Sequence, residues 1–565
     1  MSTTTTDKPR PEIAIDGFPK RQSGFARMIT SADHKDIAKI LMVGSGGFLF
    51  IAALEFFLMR LQLAIPENTF MEPVMFNRIL SLYGATSIFF FALPLVMGIF
   101  LYVAPLQVGA RGTVLPRLSQ IGGALWVAGA VVLYSGFLWT PSQAGVNPLP
   151  PLSELAFLNE NGVDAWLTAC GFATLGFVLI AIDLNSTLRV DRAPGMAWRR
   201  APIFSWAAYV GSWLMLFIGP ILLAAFTMLM IDRNYDGTFF ADGGGGAPLL
   251  WQHFTWLFYS GAYMLVLIFA FGAIAEIFAT FSGNRIFDRK ALMASFVAVA
   301  VIGTLAYMQN MYTAPIGLGW KYFAMLMSMA LIVPVGLIFF NLISTLKDGA
   351  LRMRAPVLFS VGALVMISLG LAAELQQSLV GAAFYLKGTT DSTAATHFAL
   401  IGGAVFGGFA ALHYWFPKMT GRTMGEQLGR LSFWTLSLGT LLTFVPMALA
   451  GWEEGQVADA YKFFNHTGVN FYNVLSSIGM LILLIGVILI LTNAVASIKG
   501  GARAAHDPWK GSTLEWFALS PPPVHNFDVR PDVRSDRPLD DIRAAIAKRA
   551  EQTEERAARE SQPVA

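Results

Sequence analysis

Stretches of twenty or more apolar residues recur down almost the whole of this 565-residue chain, and no other feature constrains its fold as much. A helix rises about 1.5 Å per residue, so some 20 apolar residues cross the roughly 30 Å hydrocarbon core of a bilayer. Inside that core each backbone N–H and C=O must be paired within the protein, which leaves only helices or closed barrels. Runs this long predict helices. Twelve spans are expected, at about 38–60, 82–104, 122–140, 166–186, 205–231, 253–280, 290–310, 321–345, 356–376, 395–416, 431–451 and 471–497. Only 13% of the residues are charged, where a soluble chain carries about 25%. The fold class read from this is all-α, a polytopic membrane helical bundle.

The connecting segments carry the orientation. Cytoplasmic loops are enriched in Lys and Arg, and every second loop here is: Arg111 and Arg117; Arg189, Arg192, Arg199 and Arg200; Arg285, Arg289 and Lys290; Lys347, Arg352 and Arg354; Lys418, Arg422 and Arg430. The opposite loops hold few basic residues, so both termini are expected in the cytoplasm of a prokaryotic cell, with the protein in its plasma membrane. The net charge of +3 then reports topology rather than a nucleic-acid partner. Residues 1–37 are polar and read as a cytoplasmic segment without a cleavable signal peptide. Residues 38–497 form the membrane domain, and 498–565 a cytoplasmic tail whose charged stretch 543–560 is either a surface helix or disordered. Cys170 stands alone, which excludes a disulfide framework.

Motifs between and within the spans add a second layer. They include Pro105-Leu-Gln-Val-Gly-Ala-Arg111, Trp251-Gln-His-Phe-Thr-Trp256, Ala306-Tyr-Met-Gln-Asn-Met-Tyr-Thr313, His397-Phe-Ala-Leu-Ile-Gly-Gly-Ala-Val-Phe406, Tyr414-Trp-Phe-Pro-Lys-Met-Thr-Gly421, Thr513-Leu-Glu-Trp516 and Ser520-Pro-Pro-Pro523. In this order and spacing, over nearly the whole chain, they resemble subunit I of the haem-copper terminal oxidases, of both the cytochrome c and the quinol type.

The resemblance implies particular residues at particular places. Its copper-binding histidines fall at Ser260, Gln309 and Asn310, and the tyrosine linked to the first falls at Met264. Imidazole nitrogen suits copper, whereas hydroxyl and carboxamide oxygens suit it poorly. The axial histidine of the oxygen-binding haem falls at Ala395. That of the low-spin haem is present as His397, facing a second position occupied by Tyr83, and tyrosinate can ligate haem iron. The arginines that would hold haem propionates fall near Trp452-Glu-Glu-Gly455, whose carboxylates would repel them. Entry acids and lysines of the proton channels fall at Gly112 and Ile338, and a quinol site retains only Glu55, with Met75 and Arg78 at its other positions.

These identities lead to an expectation of no catalytic residue, no copper and no metal site, with His397 and Tyr83 as the cofactor-binding pair for one haem at most. His253 reads as an interfacial anchor, His413 as a donor to a backbone carbonyl, and Glu276 and Glu374 as carboxylates that snorkel to the interface. The function expected is a structural or interaction subunit of a respiratory membrane complex, without oxygen reduction. It would contact the bilayer and other oxidase subunits. Two alternatives stand beside it: an active haem-containing terminal oxidase subunit I, and a membrane pathway for a solute or lipid.

Overall fold

A computed structural model describes residues 31–241, 245–465 and 467–560. Among these residues twelve helices are long and apolar enough to cross a membrane: α1 (His34–Gln62), α2 (Pro73–Gln107), α3 (Pro116–Leu138), α4 (Gly162–Val190), α5 (Ile203–Asn234), α6 (Pro248–Ser282), α7 (Arg289–Met311), α8 (Leu318–Leu346), α9 (Ala355–Ser378), α10 (Thr390–Thr420), α11 (Glu426–Glu454) and α12 (Gly468–Gly500). The protein is thus an all-helical, multi-pass membrane bundle. Sequence neighbours pair (α3 with α4, α5 with α6, α11 with α12), and α12 packs back on α1. The apolar window of α2 is fully buried, whereas α8 lies at the periphery with 22% of its window buried.

Helix α2 starts at Pro73, well before the expected residue 82. The polar Asn77 and Arg78 masked the start, but a proline at the first helical position lacks only an N–H that has no partner there anyway. Two helices contain a stretch of π-helix, Thr86–Ala92 in α2 and Ile401–Gly407 in α10. The first lies just ahead of Pro94, which has no N–H to offer back along the helix. The second is glycine-rich: a Cβ on Gly403 would stand 2.6 Å from Val266 Cγ1 of α6, and one on Gly402 2.8 Å from the Ile367 nitrogen of α9. Small residues at such crossings let membrane helices approach closely.

The segment after α12 is not loose. A final helix, α13 (Pro538–Glu560), replaces the open choice between surface helix and disorder. Ahead of it the chain folds across the end of the bundle that carries the basic loops. Lys35 Nζ donates to Asn526 Oδ1 (2.8 Å), Asn526 Nδ2 to the Ala110 carbonyl (2.9 Å), Lys418 Nζ to the Ala518 carbonyl (2.7 Å), and Arg530 pairs with Asp191 (2.6 Å). Glu515 is fully buried there, accepting from Gln107 Nε2 at 3.1 Å and Trp415 Nε1 at 3.2 Å. Glu276 does not snorkel as expected. It is buried too and accepts from the Phe204 N–H at 3.2 Å, because the crossing segment covers the surface it would otherwise reach.

Burial pushes the Glu515 carboxyl above the ordinary carboxylate range. A carboxyl whose pKa is higher in the folded than in the unfolded state stabilises the fold when protonated, and that contribution is lost as pH rises through the folded value. Thermal unfolding of the detergent-solubilised protein between pH 5 and pH 9 should therefore show a midpoint that falls toward high pH. In Glu515→Gln this fall should be reduced; an unchanged pH profile in the variant would refute the assignment.

Candidate functional site

Helices α1, α2, α10 and α11 bring four rings together at the bundle centre. Tyr83 and His397 each stand about one turn ahead of a π-helical stretch. Their ring planes lie within 4° of each other, and the Tyr83 hydroxyl is hydrogen-bonded to His397 Nε2. The Nδ1 of His397 lies 2.6 Å from the Thr393 carbonyl. A carbonyl can only accept, so Nδ1 carries the proton and Nε2 accepts from Tyr83. Phe56 stacks on both rings (5.0 and 5.2 Å between centroids), and Phe444 stacks on His397 at 4.9 Å. Both imidazole nitrogens are thus engaged. A metal ion about 2 Å from each of two donor atoms holds them about 4 Å apart, so a directly hydrogen-bonded pair does not fit as an axial ligand pair in this arrangement.

Beside this cluster lies a cavity of about 980 Å³, lined by Tyr83, His397, Tyr263, Ser260 and Met264 among others. Gln309 and Asn310 also line it, and the Gln309 amide and the Asn310 Oδ1 are occupied. Gln309 Nε2 donates to Glu374 at 3.2 Å, Ser328 Oγ donates to Gln309 Oε1 at 2.7 Å, and Lys387 Nζ donates to Asn310 Oδ1 at 3.1 Å. Lys387 completes the ring with an ion pair to Glu374 at 3.8 Å. This clasp joins α7, α8, α9 and the segment before α10. Glu374 is held within it rather than snorkelling, because Lys387 and Gln309 reach it first. Ala395 is fully buried in α10.

Other expected positions fall elsewhere. Glu55 accepts from Tyr134 at 3.1 Å, and Arg78 pairs with Glu160 at 3.5 Å. His253 meets the Tyr307 hydroxyl at 2.9 Å. The Nδ1 of His413 lies 2.8 Å from the Phe409 carbonyl, as the sequence suggests. Glu453 and Glu454 are exposed, with Glu453 accepting from Tyr472 at 2.7 Å. They therefore place no like charge in a low-dielectric site, and the repulsion argued from them does not arise. Sequence reasoning missed the Lys387–Glu374 clasp. Its only signal was a pair of opposite charges at the outer ends of neighbouring spans, where intramembrane ionisable residues pair with one another.

Comparison with known proteins gives a consistent result. The family model for cytochrome c and quinol oxidase polypeptide I matches residues 36–482. The chain is 33% identical to cytochrome c oxidase subunit 1 of Bacillus sp. (strain PS3), over 90% of this chain and 82% of the relative. It is 34% identical to the probable cytochrome c oxidase subunit 1-beta of Nocardia farcinica, over 95% and 92%. A haem-copper terminal oxidase dimer solved by cryo-electron microscopy shares the fold, with a TM-score of 0.73 at 14% identity over 88% of each chain.

This result corrects the expectation of no copper and at most one haem. That expectation rested on the identity of a few residues at motif positions, whereas the match to haem-copper oxidase proteins runs through the whole membrane domain.

The hydrogen bonds of the site set a test. Tyr83→Phe leaves a buried imidazole nitrogen unpaired, and Lys387→Met strips Glu374 of its cation. Losing one partner of a buried polar pair costs about 1–3 kcal/mol. Each variant should lower the thermal midpoint in detergent, while a conservative exposed change such as Lys499→Arg should not. Midpoints equal to the parent would remove the site's bracing role. By fold and by sequence, the chain belongs to the cytochrome c and quinol oxidase polypeptide I family.

Proposed function

We propose that this chain serves as a subunit I-type component of a respiratory complex in a prokaryotic plasma membrane. Its contribution there is structural and interactive rather than dioxygen reduction. The observation that carries this reading is the state of the cavity's polar atoms. The amide of Gln309, the Oδ1 of Asn310 and both nitrogens of His397 are taken up by neighbours within the chain. Such groups brace helices, and they hold no free base or nucleophile toward a substrate. His397 and Tyr83 are the positions through which this chain would hold a cofactor ring, which requires the hydrogen bond between them to open.

The distribution of Lys and Arg supports an orientation with both ends of the chain cytoplasmic, and the segment after α12 supports a cytoplasmic role for residues 498–565. That segment seals the basic end of the bundle, leaving the opposite end and the lipid-facing helices for partner subunits.

The reading is tested by isolating the tagged full-length chain from its native membranes under mild detergent and identifying what accompanies it. Other respiratory oxidase subunits should be recovered in fixed ratio, and a C-terminal reporter should be active only when cytoplasmic. Recovery of the chain alone, after cross-linking as well as without it, would overturn the proposal. Inactivity of that cytoplasm-dependent reporter, with the chain present in the membrane, would overturn the orientation.

A further inference from the structure

The groove between α4 and α5 carries unmatched positive charge at the basic end of the bundle, away from the central cavity. Arg192 lies just past the end of α4 and sets its guanidinium over the Trp198 ring, 4.9 Å from the centroid. Its Nη1 is enclosed and has no hydrogen-bond partner. Arg189, one turn earlier, is exposed. The neighbouring carboxylate is already committed: Asp191 pairs with Arg530 (2.6 Å) and accepts from the Arg111 N–H (3.0 Å). Among the described residues neither Arg189 nor Arg192 has a carboxylate at ion-pair distance.

Below the two arginines runs an aromatic face. Trp206, Tyr209, Trp213 and Phe217 recur on α5 at three- and four-residue spacing, which puts them on one side of the helix. Trp198 packs on Trp206 and Tyr209, with 5.1 and 4.3 Å between centroids, and Trp206 Nε1 donates to the Trp198 carbonyl at 2.8 Å. The platform under Arg192 is thereby joined to the top of this face. Trp213 and Phe217, deeper in the span, are 49% and 56% exposed. From Trp206 to Phe217 the face descends about 16 Å. On α4, Phe172 and Leu175 are exposed as well.

The plainer reading is that Arg192 only anchors the turn after α4 and that the aromatic residues merely face hydrocarbon. That reading leaves an enclosed N–H donor unmet, whereas buried donors in folded proteins have acceptors. It also gives no partner to two adjacent cations at a depth where aromatic rings mark the headgroup layer. Basic residues next to a span attract anionic lipid, and guanidinium matches phosphate with paired N–H donors.

We propose that the groove between α4 and α5 binds one anionic phospholipid. Its phosphate accepts from Arg192 and Arg189, and an acyl chain lies along Trp213 and Phe217. The site is separate from the central cavity and does not depend on what that cavity holds.

The test is native mass spectrometry of the purified full-length protein, with whatever groups it carries, titrated with phosphatidylglycerol or phosphatidylcholine of matched chains. One phosphatidylglycerol should bind each chain about tenfold more tightly than phosphatidylcholine, as charge-assisted hydrogen bonds imply. Arg192→Gln should erase that preference. Trp213→Ala, which keeps both arginines, should weaken both lipids about threefold through lost apolar contact, so the idea stays testable if the arginine variant does not fold. Arg352→Gln, in another basic loop, should change neither, and soluble glycerol phosphate should not displace the lipid. Equal binding of the two lipids, or undiminished affinity in Trp213→Ala, would mean annular lipid and would overturn the proposal. An equal loss in Arg352→Gln would overturn it as diffuse charge, and displacement by glycerol phosphate as a small-anion site. So would capture of another polypeptide, in place of lipid, by a photo-cross-linker at position 213 in native membranes.

Discussion

In hydrocarbon a polar group without a partner costs several kcal/mol, and the consequences of that penalty run through this molecule at two scales. At the scale of the backbone it permits only helices, which is why twelve apolar runs become twelve spans. At the scale of side chains it requires each polar group inside the bundle to find a partner on a neighbouring helix. Gln309, Asn310, Ser328, Glu374 and Lys387 meet this requirement as a group and in doing so join helices that are distant in sequence. Tyr83 and His397 meet it as a pair, sandwiched by Phe56 and Phe444. The two sets border one cavity, so the polar organisation and the cavity form one feature.

The π-helical stretches of α2 and α10 belong to the same picture. A π-helical stretch re-aims the residues beside it, and such stretches recur at functional sites. Here one follows Tyr83 and the other His397 closely, each with an identifiable cause in Pro94 or in the glycines that press against α6 and α9. The family's fold is kept at this point.

Much of the fold was legible because hydropathy and the alternation of basic loops are local signals. The twelve spans follow from them directly. The early start of α2 was hidden by Asn77 and Arg78, whose polarity reads as loop until Pro73 is seen as a helix start. The docking of Glu515 and Asn526 onto the basic end of the bundle was not legible, since it joins residues some four hundred apart. Among site residues, His413 could be placed from its depth in the helix, and the family resemblance singled out Tyr83 and His397 as a pair but not the direct hydrogen bond between them. The clasp could not, because pairing of Lys387 with Glu374 depends on how two helix ends face each other. The cofactor expectation failed for a different reason. It extrapolated from single positions to the whole protein, and it placed Glu453 and Glu454 toward a site that they face away from.

The central claim is that the cavity's side chains brace the bundle instead of reducing oxygen. It is tested most directly by oxygen uptake, with reduced cytochrome c or quinol as donor, in membranes where this chain is the only subunit I polypeptide. The account predicts uptake no greater than in membranes lacking the chain, and no change on replacing His397 with Ala. Uptake that appears with the chain and disappears with that replacement would contradict it.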